Sequence, residues 1–183
     1  MKNILLFALL FTGLAQAQIV NIPDAAFKGK LLAANASNKI AYSGGAKVAV
    51  DTNGDGEIQV AEAAVIDSLN IPRNLAPVLT ISDLTGINAF VNLKKLDCSS
   101  HTLGNLPALN LPLLELLKCR VSGLNTLDIL GCPAIKELDC YGNLITALDL
   151  ANAVQLKVIN CAFNQIASLN LSNVPALDRK SVV

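Results

Sequence analysis

The chain has 183 residues, of which 52 % are apolar and only 15 % charged, and its 14 basic residues balance 14 acidic ones. A net charge of zero lacks the basic footprint of a nucleic-acid binder and gives no electrostatic reason to lie on a membrane surface. Aromatic residues make up 4 % and Trp is absent, so Leu and Ile must do the packing, which suits a stacked repeat better than a globular jigsaw.

Residues 1–17 read as a secretory signal peptide. Lys2 supplies the positive start, Ile4 to Leu14 the short apolar run, and Ala15-Gln16-Ala17 the small residues before a cleavage expected between Ala17 and Gln18. The run is too short to cross a bilayer, and no later stretch is apolar for long enough, so no membrane span is expected. No Cys follows the cleavage point, which argues against a lipid anchor. The expected location is secreted or extracellular, including the cell surface.

Residues 18–65 carry no long period and are expected to form a small helical N-terminal cap. Pro23-Asp24 before Ala25-Ala26-Phe27-Lys28 reads as a helix start, with the helix running to about Leu32. The segment from Asp51 to Glu62 has the spacing of an EF-hand calcium loop. Asp51, Asn53, Asp55, Gln59 and Glu62 hold loop positions 1, 3, 5, 9 and 12, with Gly56 at position 6 and Ile58 at position 8. Calcium wants six to eight oxygens. Asp51, Asn53 and Asp55 would each give one, Glu57 its backbone carbonyl, Gln59 one through a water, and Glu62 two. A second loop is missing, so a bound Ca2+ would be structural and would stiffen the cap. Ser43-Gly44-Gly45-Ala46-Lys47 has the wrong spacing for a phosphate loop.

From residue 66 to 177 the chain repeats. Cys98, Cys119, Cys140 and Cys161 are spaced by 21 residues, and so are Leu93, Leu114, Ile135 and Leu156, and Leu96, Leu117, Leu138 and Ile159. The unit Leu156-x-x-Ile159-x-Cys161-x-x-Asn164-x-Ile166-x-x-Leu169-x-Leu171 is the leucine-rich-repeat signature with Cys in its sixth slot. Its first half alternates as a short strand does, with Leu and Cys inward. One coil cannot bury its apolar side alone, and stacking coils at about 4.8 Å makes a parallel sheet and a continuous core. The fold class expected is therefore an α/β repeat: a leucine-rich-repeat solenoid with a short-stranded parallel sheet on its concave face. Ile66-x-x-Leu69-x-Ile71 reads as an irregular first coil, followed by an insertion carrying Pro72 and Pro77. The return side of each coil should be extended or 3-10. Asn143 and Asn164 leave the strand where a carboxamide can satisfy the neighbouring coil; His101 and Ser122 hold that slot in the earlier units.

The five cysteines are expected to be small buried hydrophobes, because bridging stacked neighbours would strain a disulfide and a linear stack cannot surround one metal ion. No catalytic constellation emerges. The single His101 stands near Ser99, but no nucleophile–base pair and no enzymatic activity are expected. Function is better sought on the exposed strand face, where Asp97, Lys118, Asp139 and Asn160 form one row and Ser99, Arg120, Tyr141 and Ala162 another. Asp97, Lys118, Arg120, Asp139 and Tyr141, with Phe163 nearby, are the candidate ligand-binding residues, Arg and Tyr being favoured anchors. The alternating charges are equally consistent with a solvated ladder.

The repeat is expected to break after Leu177, because position 180 should be apolar and is Lys180. Residues 178–183 resemble the translation of a sequencing adapter, so the chain is expected to be a piece of a longer one.

Ile19-Val20-Asn21-Ile22-Pro23-Asp24, the Asn53-Gly54-Asp55-Gly56-Glu57-Ile58 loop, Ile81-Ser82-Asp83-Leu84-Thr85-Gly86-Ile87 and the Leu-x-x-Leu-x-Cys units occur together. The whole resembles secreted leucine-rich-repeat proteins of Bacteroidetes-type bacteria, related in style to internalins. The resemblance implies a surface or secreted binding protein, often with a C-terminal sorting domain that is not found in these residues, and with a protein or glycan ligand. Adhesion or ligand capture through the concave sheet is the expected role. The alternative is a structural or assembly module that uses the Asp51–Glu62 loop in a dockerin-like contact.

Overall fold

The structure, a computed structural model, describes residues 18–181; the expected signal peptide, residues 1–17, and Val182-Val183 of the tail lie outside the described residues. The N-terminal part begins with helix α1, Ala25–Leu32, where the sequence places it. Asp24 caps it: its carboxylate accepts the Phe27 N–H at 2.8 Å, satisfying one of the donors that a helix start leaves open. Phe27 and Leu31 face the core. Strands β1, Ala41–Ser43, and β2, Ala46–Lys47, form a hairpin around Gly44-Gly45, the segment whose spacing was wrong for phosphate. Helix α2, Val60–Ala64, begins within the last three residues of the Asp51–Glu62 loop.

Six parallel strands come next: β3, Ser68–Asn70; β4, Lys95–Asp97; β5, Leu116–Lys118; β6, Glu137–Asp139; β7, Val158–Asn160; and β8, Arg179–Ser181. They lie in one eight-stranded sheet of order β2-β1-β3-β4-β5-β6-β7-β8, with β1 antiparallel to both its neighbours. The hairpin thus pairs with the first coil's strand and extends the sheet into the cap.

The register has no shift from coil to coil. Leu69, Leu96, Leu117, Leu138 and Ile159 are paired in sequence across the sheet, and none is more than 1 % exposed. Each such side chain is worth roughly 1.5–3 kcal/mol of burial. Two residues further, Cys98, Cys119, Cys140 and Cys161 stack as a second buried column, and all five cysteines are free thiols. Burial pushes the Cys119 thiol well above its ordinary value and that of Cys140 up to about 12. These are packing residues, as expected. The return side holds a short 3-10 turn at Ile87–Ala89 and otherwise turns and extended segments.

One expectation needs correction. The backbone does not leave the repeat after Leu177: Asp178 N–H donates to the Lys157 carbonyl at 2.8 Å, and β8 pairs with β7 with Lys180 in register with Ile159. Ladder hydrogen bonds are made by the main chain, so they continue where the apolar pattern stops.

Candidate functional site

The strands are only three residues long and end at Asp97, Lys118, Asp139 and Asn160. Arg120 and Tyr141, read from the alternation as strand-face residues, therefore stand past the strand ends, on a rim where the chain leaves the sheet, and Phe163 stands there too. The last residue of three strands steers this exit. Asp97 Oδ1 accepts the Ser99 N–H at 3.1 Å, Asp139 Oδ1 the Tyr141 N–H at 3.3 Å, and Asn160 Oδ1 the Ala162 N–H at 3.4 Å. Such side-chain turns are a local habit of Asp and Asn. Lys118 is in register between Asp97 and Asp139. The ion pair on this face is instead Arg120 Nε to Asp139 Oδ2 at 3.6 Å, and Lys118 pairs with neither neighbour among the described residues.

Arg120, Tyr141 and Phe163 come together on three consecutive coils. The Arg120 guanidinium carbon lies 5.0 Å from the Tyr141 ring centre, and the Tyr141 and Phe163 rings are 5.1 Å apart and tilted by 56°. These are cation–π and tilted aromatic geometries. Phe163 is 67 % exposed, so the stack faces outward. Beside it a cleft of about 380 Å³ is lined by Pro72, Asn74, Asp97, Ser99, Lys118 and Arg120.

A third column was not read from the sequence. Ser100, Val121, Gly142 and Phe163 occupy one slot of the repeat, and all have positive φ, at 67°, 48°, 69° and 57°. Only Gly142 takes this conformation without cost; a β-branched Val there is a true outlier. Val121 is also 54 % exposed, so no core packing accounts for it. The signal in the column is a single glycine, Gly142, standing in one slot with Ser100, Val121 and Phe163.

The Asn slot behaves as expected in coils with Asn143 and Asn164, whose amides bond main-chain groups of the coil before: Asn143 to Leu124 N–H and the Cys119 carbonyl, Asn164 to Ile145 N–H and the Cys140 carbonyl. His101 does the same work with a ring. Its Nδ1 accepts the Ile81 N–H at 3.1 Å and its Nε2 lies 2.7 Å from the Ile71 carbonyl. Both nitrogens are engaged, and Ser99 Oγ accepts the Arg120 N–H at 3.3 Å, so Ser99 and His101 form no nucleophile–base pair.

The whole arrangement has known counterparts among solved structures. The chain superposes on an internalin (inlF) from Listeria monocytogenes with a TM-score of 0.67 and 17 % identity, covering 94 % of this chain and 47 % of that one. It superposes on internalin C2 of the same organism with a TM-score of 0.59 and 19 % identity, covering 92 % of this chain and 69 % of that one. The chain has the leucine-rich-repeat fold of the internalins. It spans about half the length of the first of these relatives. The chain matches no protein-family model, and no curated protein sequence matches it. Among the described residues of this leucine-rich-repeat solenoid, no helix is long and apolar enough to cross a membrane.

The Asp51–Glu62 loop of the solenoid's cap is folded and tightly bonded. Asp51 accepts N–H groups of Gly54 and Gly56 at 2.7 and 3.0 Å, and Gly56 has φ 79° as position 6 requires. Glu62 accepts the Thr52 N–H and hydroxyl through Oε1, both at 2.7 Å, and the Gln59 N–H through Oε2 at 3.0 Å. Burial alone would raise the Glu62 carboxyl, but these donors outweigh it and hold it below its ordinary value. Val20 N–H donates to the Ile58 carbonyl and Val60 N–H to the Gln18 carbonyl, both at 2.8 Å, so the loop also pins the start of the described chain. The donor set is all oxygen and suits a hard cation. As arranged, however, the carboxylates face N–H donors, Asn53 and Gln59 turn amide nitrogens toward Asp55, and no three His, Cys, Asp or Glu converge as metal ligands among the described residues. Closing on calcium requires the Asn53 and Gln59 amides to turn their oxygens toward the ion.

Proposed function

We propose that the chain is a secreted, extracellular leucine-rich-repeat module that captures a protein ligand on the rim where its strands end. Arg120, Tyr141 and Phe163 are the anchors, and Asp97, Lys118 and Asp139 form the polar surround. The observation that carries this reading is the outward-facing stack of those three side chains on consecutive coils. Aromatic and Arg side chains dominate binding energy where they can be desolvated at the centre of an interface. Stacking on Tyr141 also pre-orders the Arg120 side chain, which lowers the entropy lost on binding. The internalin-like fold supports the reading by analogy, and adhesion is the role it would serve at a cell surface.

The test measures affinity for extracellular proteins and glycans with the natural chain and with Arg120→Ala/Tyr141→Ala. Loss of at least about tenfold, equal to 1.4 kcal/mol, at an unchanged urea midpoint supports the reading. Equal affinity of the two chains overturns it, and binding confined to glycans moves it to that ligand class.

The cap loop is proposed to hold a structural calcium. Asp51, Asn53 and Asp55 would give side-chain oxygens, Glu57 its carbonyl, Gln59 a water-mediated oxygen and Glu62 both carboxylate oxygens. The ion would replace the N–H donors as the partner of those charges and fix the cap against the first coil.

A further inference from the structure

The first coil differs from the others by its insertion. Ile71 and Ile81 take the repeat positions of Cys119 and Leu124, but they are ten residues apart where that pair is five. None of residues 72–80 is fully buried. Pro72 and Asn74 supply one wall of the cleft whose other side carries Lys118 and Arg120. The wall is held at a few points: Leu75 packs against the core, and Thr102 N–H donates to the Ile81 carbonyl at 3.3 Å. Arg73 N–H donates to the Ser99 carbonyl at 3.1 Å. Lys30, fully buried on α1, donates to the carbonyls of Pro72 and Leu75. His101 joins the two ends, accepting from Ile81 N–H and donating to the Ile71 carbonyl.

That last pair of bonds works in one protonation state. Ile81 N–H is a donor, so Nδ1 must be bare and the proton must sit on Nε2. A second proton on Nδ1 would set one donor against another. The carboxylate that acts on the ring, Asp24, already accepts from Phe27, Ser82 and Asp83. The charged groups that act on the ring are Lys30 from α1, Arg73 from the insertion and Asp24 from the α1 cap.

We propose that residues 72–80 are a movable wall of the binding cleft, latched by the neutral ring of His101 and released by acid. Lys30 keeps its hold on Pro72 and Leu75, so the wall swings from the Ile81 side rather than detaching. Burial is the main influence on His101 and lowers its affinity for a proton; the Ile71 bond opposes this, Lys30 and Arg73 add to it, and Asp24 opposes it, leaving the ring below its ordinary 6.5. The latch is therefore complete above pH 6.5 and is lost as pH falls from there through the lowered value of the closed state. A consequence for ligand capture rests on the binding reading above; the latch itself is measured with no ligand present.

His101 is the only histidine, so its ring can be followed in the full chain without assignment of others. The experiment is nitrogen NMR of the ring with amide hydrogen exchange, between about pH 8 and pH 5. We expect the Nε2–H form at the upper end. On acidification we expect Nδ1 to gain a proton while Ile81 exchange, corrected for the intrinsic rate, speeds up by about tenfold per unit of displacement of the ring's pKa. Leu117 and Leu138 should stay protected. His101→Asn places in this slot the residue that serves at 143 and 164, and should keep Ile81 protected at both pH values. The proposal falls if the ring titrates with no change at Ile81, if His101→Asn retains the pH dependence, or if protection is lost on all strands together. Should His101→Asn fail to fold, the ring and Ile81 signals of the natural chain decide alone. Failure of ligand binding with an intact pH response would overturn only the binding reading.

Discussion

The carboxamide oxygen of Asn143 accepts the backbone N–H groups of both Ser122 and Leu124, at 2.9 and 3.1 Å, while its nitrogen donates to the Cys119 carbonyl at 2.9 Å. One side chain thereby serves three main-chain groups of the preceding coil where no water reaches. Asn143→Ala leaves them unpaired, at about 1–3 kcal/mol for each such group that cannot find water. The expected loss in a urea titration is about 3 kcal/mol. Asn164→Ala should cost less, because Asn164 is only half-buried.

The cysteine column gives a chemical prediction. Burial raises the thiols of all five cysteines, and the thiolate is the reactive form. A disulfide-exchange reagent at neutral pH should label none of them in the native chain and all of them in urea. Fast labelling of Cys119 in the folded chain would contradict the stacking.

Val121→Gly tests the strained column. A left-handed residue other than Gly costs about 1–2 kcal/mol, and part of the relief is offset by the entropy of a new glycine. The expected gain is about 0.5–1 kcal/mol in the urea midpoint analysis. If Val121 serves the rim, the stabilised variant should bind its ligand less well; a gain in stability with full affinity would make the strain incidental.

The cap should show its own acid dependence. The Glu62 carboxyl is lowered in the folded chain, so its contribution is present above the ordinary 4.5 and is lost as pH falls through the lowered value. Glu62→Gln should flatten that part of the pH–stability profile. Millimolar calcium should raise the melting temperature of the natural chain by mass action and leave Glu62→Gln unchanged. No shift in either chain would remove calcium from the cap.

Much of this was legible in the residues because the repeat is periodic. The columns of Leu96 and Cys98 follow from spacing, and spacing alone predicts inward burial and a parallel stack. Helix α1 was readable from Asp24, whose capping chemistry is local. What escaped depends on where three-residue strands end. Alternation cannot tell Asp97 on a strand from Ser99 beyond it, so Arg120 and Tyr141 were placed on the sheet rather than on its rim. The hold of Lys30 on Pro72 and Leu75 also escaped, since it joins residues more than 40 positions apart. His101 was assigned to the right slot, but its two partners depend on an insertion whose path the sequence does not specify.

The unshifted register has a consequence for how such a chain can change its length. Removing or duplicating 21 residues anywhere from Leu114 to Leu156 exchanges a stretch for one that continues the same strand register and the same buried columns. Each such event moves everything beyond it by one strand spacing, about 4.8 Å, without turning a single side chain from inside to outside. The reach of the rim is therefore adjustable in whole steps, while the cap and its latch stay as they are.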